Sequence, residues 1–307
     1  MSTSYLLFQL TLLAADTIAL LGLNLLTGYG GQISLGQGAF YGIGAYTTAT
    51  LVSRGAVPFE LTLPCAGGVC LVLGFLFGIP AARLEGLHLA LATFALGVVF
   101  PQVLKCKALE DLTGGVQGIA LPSTPAPFGL PLSPDVWLCT VAIGLALALR
   151  ILARNLVRGH TGRAIAAIRD QPMAAAAAGI DTAFYKSLTF GLSAMYAGIA
   201  GGLAAMAVKF VSPDSFTIAL SLGLLVGVVL GGLASIAGAF YGTLFLRFVP
   251  DLADEISKAA PTAVYGVILI VVALVMPRGV AGMVERLTRT IEGRIRLGHR
   301  TPSKEQP

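Results

Sequence analysis

Nine apolar runs, each about the length of a membrane-spanning helix, dominate this 307-residue chain. Because about 20 helical residues cross the hydrocarbon core of a bilayer, we predict a span at each run. The spans lie near residues 5–25, 33–53, 59–79, 88–104, 135–156, 184–207, 216–233, 236–250 and 261–277. The stretch 216–250 also fits one broken helix, because Gly231, Gly232 and Gly238 interrupt it. The sequence therefore predicts an all-α polytopic membrane protein, a bundle of 8–9 transmembrane helices.

The composition favours the same class. Charged residues make up 11% of the chain and hydrophobic residues 56%, whereas about a quarter of a soluble domain is charged. No Lys or Arg precedes the first run, and no small-residue cleavage site follows it, so residues 5–25 are predicted to be a retained helix. We expect one transmembrane domain over residues 1–298 and a disordered tail over 299–307.

A polar segment interrupts the series of spans. We call residues 158–182 the elbow. Arg163–Arg169 has the pattern of a short helix, with the hydroxyl of Thr161 as a candidate N-cap. Pro172 interrupts it, and a run of alanines forms a second helix that ends at Gly179. Both helices are too short and too polar to cross a bilayer, so the elbow is predicted to be a cytoplasmic docking surface.

Lys and Arg residues divide unevenly between the two sides that nine spans define. The side that carries the elbow holds fourteen of the twenty: Arg83, Arg150, Arg154, Arg158, Arg163, Arg169, Lys186, Arg278, Arg286, Arg289, Arg294, Arg296, Arg300 and Lys304. The other side holds Arg54, Lys105, Lys107, Lys209 and Lys258. By the positive-inside rule the richer side is cytoplasmic, which places the N-terminus outside and the C-terminus in the cytoplasm. Charges at span ends also account for the net charge of +5 without a nucleic-acid partner.

Two further segments lie between or after the spans. Residues 106–134 form the longest external loop, and five prolines occupy its second half. Residues 282–298 place Val284, Leu287 and Ile291 at helical spacing with arginines on other faces. This pattern predicts an interfacial tail helix that lies on anionic membrane lipid.

A glycine-rich stretch, residues 28–46, places polar side chains where a lipid-facing span normally has Leu and Val. Polar or non-helical backbone at membrane depth is tolerated only inside protein or beside a wet cavity. One interpretation is a broken helix on a translocation path; the alternative is a packing face whose polar groups cap a helix end. On the first interpretation, the residues on or beside the path are Gly30, Gln32, Ser34, Gln37 and Phe40.

Small residues also recur four apart in two later spans. Gly198 and Gly202 continue one such series, and Gly223, Gly227 and Gly231 form another. Such faces allow close approach of helix backbones. We interpret them as packing surfaces.

The chain contains no motif for catalysis or metal binding. It has no paired-carboxylate site, HExxH, GxSxG or Walker A motif, and its four cysteines lack ligand spacing. We therefore expect no enzymatic activity, metal or cofactor in this chain. Asp16 lies inside a span without a neighbouring Glu, His or Lys that would build a proton relay. Uphill transport would then need a partner ATPase, or, in the alternative of a secondary transporter, an ion gradient.

Four blocks of the sequence resemble the permease subunits of branched-chain amino acid ABC importers, specifically the M-type member of the leucine/isoleucine/valine uptake systems. They occur in the family's order and span nearly the whole chain. The blocks are LNLLTGYGGQISLGQGAFYGIGAY (23–46), LTGGVQGI (112–119), GRAIAAIRD (162–170) continuing to GID (179–181), and PRG (277–279) with Gly282.

The resemblance implies a permease subunit of the bacterial cytoplasmic (inner) membrane. Its implied partners are a second related permease, two ATP-binding cassettes that carry ATP and Mg²⁺, and a periplasmic or tethered solute-binding protein. The cassettes would dock on the elbow, where the coupling residues would be Gly162, Arg163, Arg169, Asp170 and Gly179. Arg163 and Arg169 lie about 120° apart around a helix, so we predict that they engage different parts of a cassette groove. Ile165 and Ile168 would form the apolar contact between them.

Two departures from the family pattern leave the solute open. The family often has Glu where this chain has Ala176, and Gly-Gly-Ser-Asp-Gly where residues 114–118 read Gly-Gly-Val-Gln-Gly. The resemblance implies branched-chain amino acids as the solute. The alternatives within the family are urea, short amides and small carboxylates.

Overall fold

A computed structural model describes residues 3–55, 57–84, 86–122, 133–256, 258, 261–276 and 279–283. Its helices are α1 Thr3–Leu23, α2 Gln37–Gly55, α3 Phe59–Ala81, α4 Leu87–Leu104, α5 Glu110–Thr113, α6 Pro134–Arg158, α7 His160–Asp170, α8 Pro172–Ala177, α9 Thr182–Val208, α10 Ile218–Gly231, α11 Ile236–Ile256 and α12 Pro261–Val275. The strands β1 Ile119–Ala120 and β2 Phe210–Val211 pair antiparallel. The predicted all-α class is confirmed. Residues 123–132 of the external loop, the tail helix from residue 284, and the tail 299–307 lie outside the described residues.

Helix α9 occupies the centre of the bundle, where it packs on α1, α2 and α3. Its inner faces carry Ala and Gly, which bring neighbouring backbones close. A Cβ on Gly44 of α2 would collide with the backbone of Gly198, and one on Gly74 of α3 would collide with the side chain of Ala194. The small-residue series predicted for this span is therefore a buried packing surface.

Contacts at the helix termini define two ends of the bundle. At the elbow end, α7 contacts the residues that follow α1, and Gly279 lies against Gly232. At the opposite end, Lys209 pairs with Asp135 at 3.5 Å, and Lys105 pairs with Asp214. The N-terminus of α1 and residues 279–283 therefore lie at opposite ends, as the nine-span count requires.

Five helical segments among the described residues are long and apolar enough to cross a membrane: Ser4–Tyr29, Phe59–Ala81, Leu87–Leu104, Pro134–Arg158 and Thr182–Val208. The first, third, fourth, fifth and sixth predicted spans correspond to them. Helix α2 is less apolar because of its Gly, Thr and Gln residues, whereas α10 is apolar but only 14 residues long. A multi-pass membrane protein is confirmed.

Helices α10 and α11 form an antiparallel hairpin. Gly227 faces Gly242, and Gly231 faces Gly238, so the two chains run in opposite directions through a close backbone contact. The turn between them uses positive φ at Gly232 (119°) and Ala234 (57°). The alternative of one broken helix across residues 216–250 is therefore wrong, because the chain reverses rather than continues.

The loop after α4 folds back onto the end of α9. The β1–β2 ladder pairs Ile119 with Val211, and the Leu121 N–H donates to the Lys209 carbonyl at 2.9 Å. Gly118 has φ 73°, and a Cβ there would collide with the Val211 carbonyl. The LTGGVQGI block therefore packs over the end of the bundle opposite the elbow. Position 118 needs glycine, because its φ is positive and a side chain would collide with the neighbouring strand.

Candidate functional site

The predicted span at 33–53 begins with non-helical backbone. Helix α1 continues through π-helical turns at Asn24–Tyr29, Gly31 has φ +66°, and α2 begins only at Gln37. Gln37 contacts Ser193 of α9, about 16 Å along that helix from its elbow end at 1.5 Å per residue. The segment 31–36, which we call the break, therefore runs from the elbow end into the middle of the bundle.

Side-chain hydroxyls accept hydrogen bonds from backbone N–H groups in and next to the break that have no helical acceptor. The Leu35 N–H donates to Thr93 Oγ1 at 2.9 Å, and the Gly38 N–H at the start of α2 donates to Ser221 Oγ at 2.9 Å. The Gly36 N–H donates to Ser34 Oγ at 3.3 Å. Non-helical backbone is stable at this depth because protein hydroxyls replace the missing helical acceptors.

The five residues predicted for the path are buried within this chain. Ser34 and Gln37 are each 1% exposed, and the Gln37 amide exchanges two hydrogen bonds of 3.2 Å with Ser193. Gln32 donates to the Lys186 carbonyl at 3.4 Å, and the ring of Phe40 packs 5.7 Å from that of Phe190. Gly30 and Gln32 also line a cavity of about 170 Å³ at the elbow end. Their place on a translocation path stays a prediction; their packing role is visible.

The elbow folds as two short helices, α7 and α8, joined at Gln171. Gly179 has φ +83°, and the Ile180 N–H donates back to the Ala175 carbonyl at 3.0 Å, which closes α8. The predicted stop at Gly179 is confirmed. The predicted N-cap is wrong: α7 begins at His160, and Gly159 precedes it with no side-chain cap.

The apolar face of α7 points into the bundle rather than toward a partner. Ile165 and Ile168 are buried at 4% and 3% exposure, so the prediction that they form a cassette contact is wrong. Gly162 permits this packing, because a Cβ there would collide with the Val157 carbonyl. The outward surface instead carries Arg163, Asp170 and four residues of α8: Met173, Ala174, Ala176 and Ala177. Among the latter, Met173 is 86% exposed.

Arg169 connects the elbow to the break. Its stem packs on Gly31, where a Cβ would lie 2.7 Å from Arg169 Cγ. Its Nη1 donates to the Gly28 carbonyl at 3.2 Å, while Nε and Nη2 donate to Asp170 Oδ1 at 3.1 and 3.0 Å. This side chain, which is predicted to engage a cassette, thus also contacts the glycine-rich stretch while it remains 37% exposed, and Asp170 orients it.

Sequence reasoning missed Asn24, which holds the α10–α11 turn. Its Nδ2 donates to the Ser235 carbonyl at 2.7 Å, and its Oδ1 accepts from the Ala234 N–H at 2.9 Å. The residue is 1% exposed. The available signal was an amide at the end of an apolar run, because such a group has to find polar partners.

Sequence reasoning also left Asp16 unpaired. In the structure Asp16 Oδ2 lies 3.6 Å from Arg247 Nη1, and the Tyr41 hydroxyl donates to Asp16 Oδ1 at 3.5 Å. Arg247 Nε donates to Gln9 Oε1 at 2.9 Å. The charged groups of α1 and α11 thus neutralise each other where burial would otherwise be costly.

Comparisons with known proteins identify a family and relatives that match most of the chain. Residues 5–276 match the family described as "Branched-chain amino acid transport system / permease component". The chain is 32% identical over 286 residues to the high-affinity branched-chain amino acid transport system permease protein LivM of Salmonella typhimurium and of Escherichia coli, which covers 86% of this chain and 67% of each relative. It is 26% identical over 291 residues to LivH of Salmonella typhimurium, which covers 88% of this chain and 92% of that one. No solved structure gives a significant match.

These matches confirm the family resemblance, its M-type character and the prediction of a transport subunit rather than an enzyme. The chain is 32% identical to LivM and 26% identical to LivH, so it is more similar to the M-type permease than to the H-type. The match extends over the break, the elbow and the hairpin. The chain belongs to the branched-chain amino acid transport permease family.

Proposed function

We propose that this chain lines one half of a translocation pore in an ABC importer of the bacterial inner membrane, and that ATP-binding cassettes drive it through the elbow. One observation carries the proposal: Arg169 of the elbow contacts Gly28, just before the break, and Gly31, at its start. If α7 moved, the Arg169 side chain would transmit the movement to Gly28 and to Gly31, where the break begins. The mechanism needs no group in this chain to hydrolyse ATP; Mg²⁺ and ATP would be held by the cassettes.

The elbow end is the proposed cytoplasmic side. The described residues at that end carry Arg83, Arg158, Arg163 and Arg169, in line with the positive-inside rule. Residues 279–283 lie at the same end, next to Gly232, so the C-terminus is proposed to be cytoplasmic. The exposed side chains of α8, with Met173 foremost, would provide the apolar contact for a cassette.

The proposed solute is a branched-chain amino acid, because the relatives LivM and LivH are named for high-affinity transport of that class. Their two names also support a second, related permease as the other half of the pore. A periplasmic or tethered solute-binding protein would deliver the solute. A proton-coupled carrier would need an intramembrane group free to take up the proton, and the pairing of Asp16 with Arg247 does not favour that role for Asp16.

The test is uptake by vesicles that contain the chain, its cognate permease and cassettes, together with the cognate binding protein. We expect ATP-dependent uptake of labelled leucine that excess isoleucine and valine inhibit and that urea, acetamide and acetate leave unchanged. A cassette variant without ATPase activity should stop it. Inhibition by urea, amides or acetate alone would assign one of the other family solutes, and uptake driven by an ion gradient without ATP would contradict the proposal.

A further inference from the structure

Three arginines form one stripe on the elbow half of α6. Arg150, Arg154 and Arg158 are spaced four apart, so they follow each other along one face with a drift of about 40° per step. All three are exposed. No ion pair to them is found among the described residues, which leaves their charge available to a ligand.

This stripe forms one wall of a cavity of about 720 Å³ between α6 and the start of α11. The opposite wall is the α10–α11 turn and the first residues of α11, with Tyr29 and Tyr241 beside them. The cavity lies at the N-terminal end of a 21-residue helix, where the helix dipole also favours an anion. None of the described lining residues is a carboxylate. The charges, the helix terminus and the hydroxyls all suit a phosphate group.

The rim of the cavity is apolar on the side nearer the bilayer centre. Leu147 lines it there and is 54% exposed, and Ile151, which lies between Arg150 and Arg154 along the helix, is 60% exposed. Leu147 lies about one helical turn beyond Arg150, away from the elbow end. Helix α6 also presents much of its length outside the bundle, since only 28% of its span is buried. A ligand here would meet cations at the membrane surface and hydrocarbon directly beneath them.

We propose that this cavity, lined by Arg150, Arg154 and Arg158, binds the headgroup of an anionic phospholipid. The guanidinium groups contact the phosphate with directional, charge-assisted hydrogen bonds, and Leu147 and Ile151 contact the acyl chain. Basic pockets between transmembrane helices at the cytoplasmic face are suited to such lipids. The site shares Arg158 with the elbow but no residue with the break or with the exposed face of α8, so it does not depend on the proposed transport mechanism.

The test is native mass spectrometry of the delipidated full chain in detergent, titrated with phosphatidylglycerol or with phosphatidylcholine of identical acyl chains. We expect phosphatidylglycerol to bind more tightly, and the triple variant Arg150→Gln/Arg154→Gln/Arg158→Gln to bind it at least about tenfold more weakly. The control Arg54→Gln/Arg83→Gln/Lys107→Gln removes the same charge outside the cavity and should retain the binding. If the triple variant does not fold, Arg154→Gln alone should still weaken binding measurably.

Three results would overturn the proposal. Equal affinity of the triple variant and the control would exclude the arginines as the site. Complete displacement of phosphatidylglycerol by an equal concentration of inorganic phosphate would assign the cavity to a free anion. Phosphatidylglycerol binding that arises only after deletion of residues 284–307 would show that this part of the chain is the natural occupant.

Discussion

Replacing Arg169 with glutamate is expected to reduce ATP-driven uptake at least about tenfold, since hydrogen bonds from a charged donor contribute about 1.5–3 kcal/mol. The wild-type guanidinium donates to the Gly28 carbonyl and to Asp170, and the stem packs on Gly31. A glutamate loses these donors and places a second carboxylate beside Asp170 and an acceptor beside the Gly28 carbonyl. Motion of the elbow is then no longer transmitted to the glycine-rich stretch, because the contacts that join them are lost.

The measurement is solute-stimulated ATPase activity and uptake in the same reconstituted vesicles. Arg169→Glu should keep cassette binding and ATP hydrolysis while uptake is lost, which a simple folding defect would not produce. Arg169→Lys, which keeps the charge but not the fork of donors, should recover part of the uptake. The matched control is Arg83→Glu, an exposed residue at the same end with the same charge change. Equal uptake by Arg169→Glu and Arg83→Glu would show that Arg169 does not transmit the motion.

Gly231→Leu is expected to abolish accumulation of the folded chain. A Cβ at Gly231 would collide with the carbonyl oxygen of Gly238, which is backbone and cannot rotate away. Overpacking typically costs about 1–3 kcal/mol, and separation of α10 from α11 would also disturb the turn that Asn24 holds. The expected result is loss of the thermal unfolding transition and of protein from the membrane fraction.

Gly223→Leu is the control within the same helix. A Cβ at Gly223 meets nothing within 4 Å among the residues that the structure describes, so this variant should accumulate and melt like the wild type. The pair compares identical substitutions two turns apart. Normal accumulation of both variants would mean that the close hairpin is absent from the protein in the membrane.

The sequence predicted much of the fold because membrane spans depend on local composition. The series Gly223, Gly227 and Gly231 shows which contacts could not be predicted from spacing alone. Spacing by four identifies one face of α10, but it does not show that α11 covers Gly227 and Gly231 while no described residue lies within 4 Å of a Cβ at Gly223. The reversal after Gly231, rather than a bend, likewise depends on contacts with Gly238 and Gly242.

Less of the candidate site was predictable. The helical spacing of Ile165 and Ile168 showed an apolar face but not whether it meets this bundle or a partner, and the structure buries it. Asp16 and Arg247 are far apart in sequence, so their pairing depends on the packing of α1 against α11. The same holds for Arg169 and Gly28, because their contact brings together two blocks that each carried a separate prediction.

The most direct test of the central claim is photo-crosslinking from the elbow in the assembled transporter. A benzophenone amino acid at Met173, 86% exposed on α8, should capture an ATP-binding cassette. The same probe at Val116, 67% exposed at the opposite end of the bundle, should capture none. Capture of a cassette from Val116, or none from Met173 in an intact complex, would contradict the account of the elbow as the cassette's docking surface.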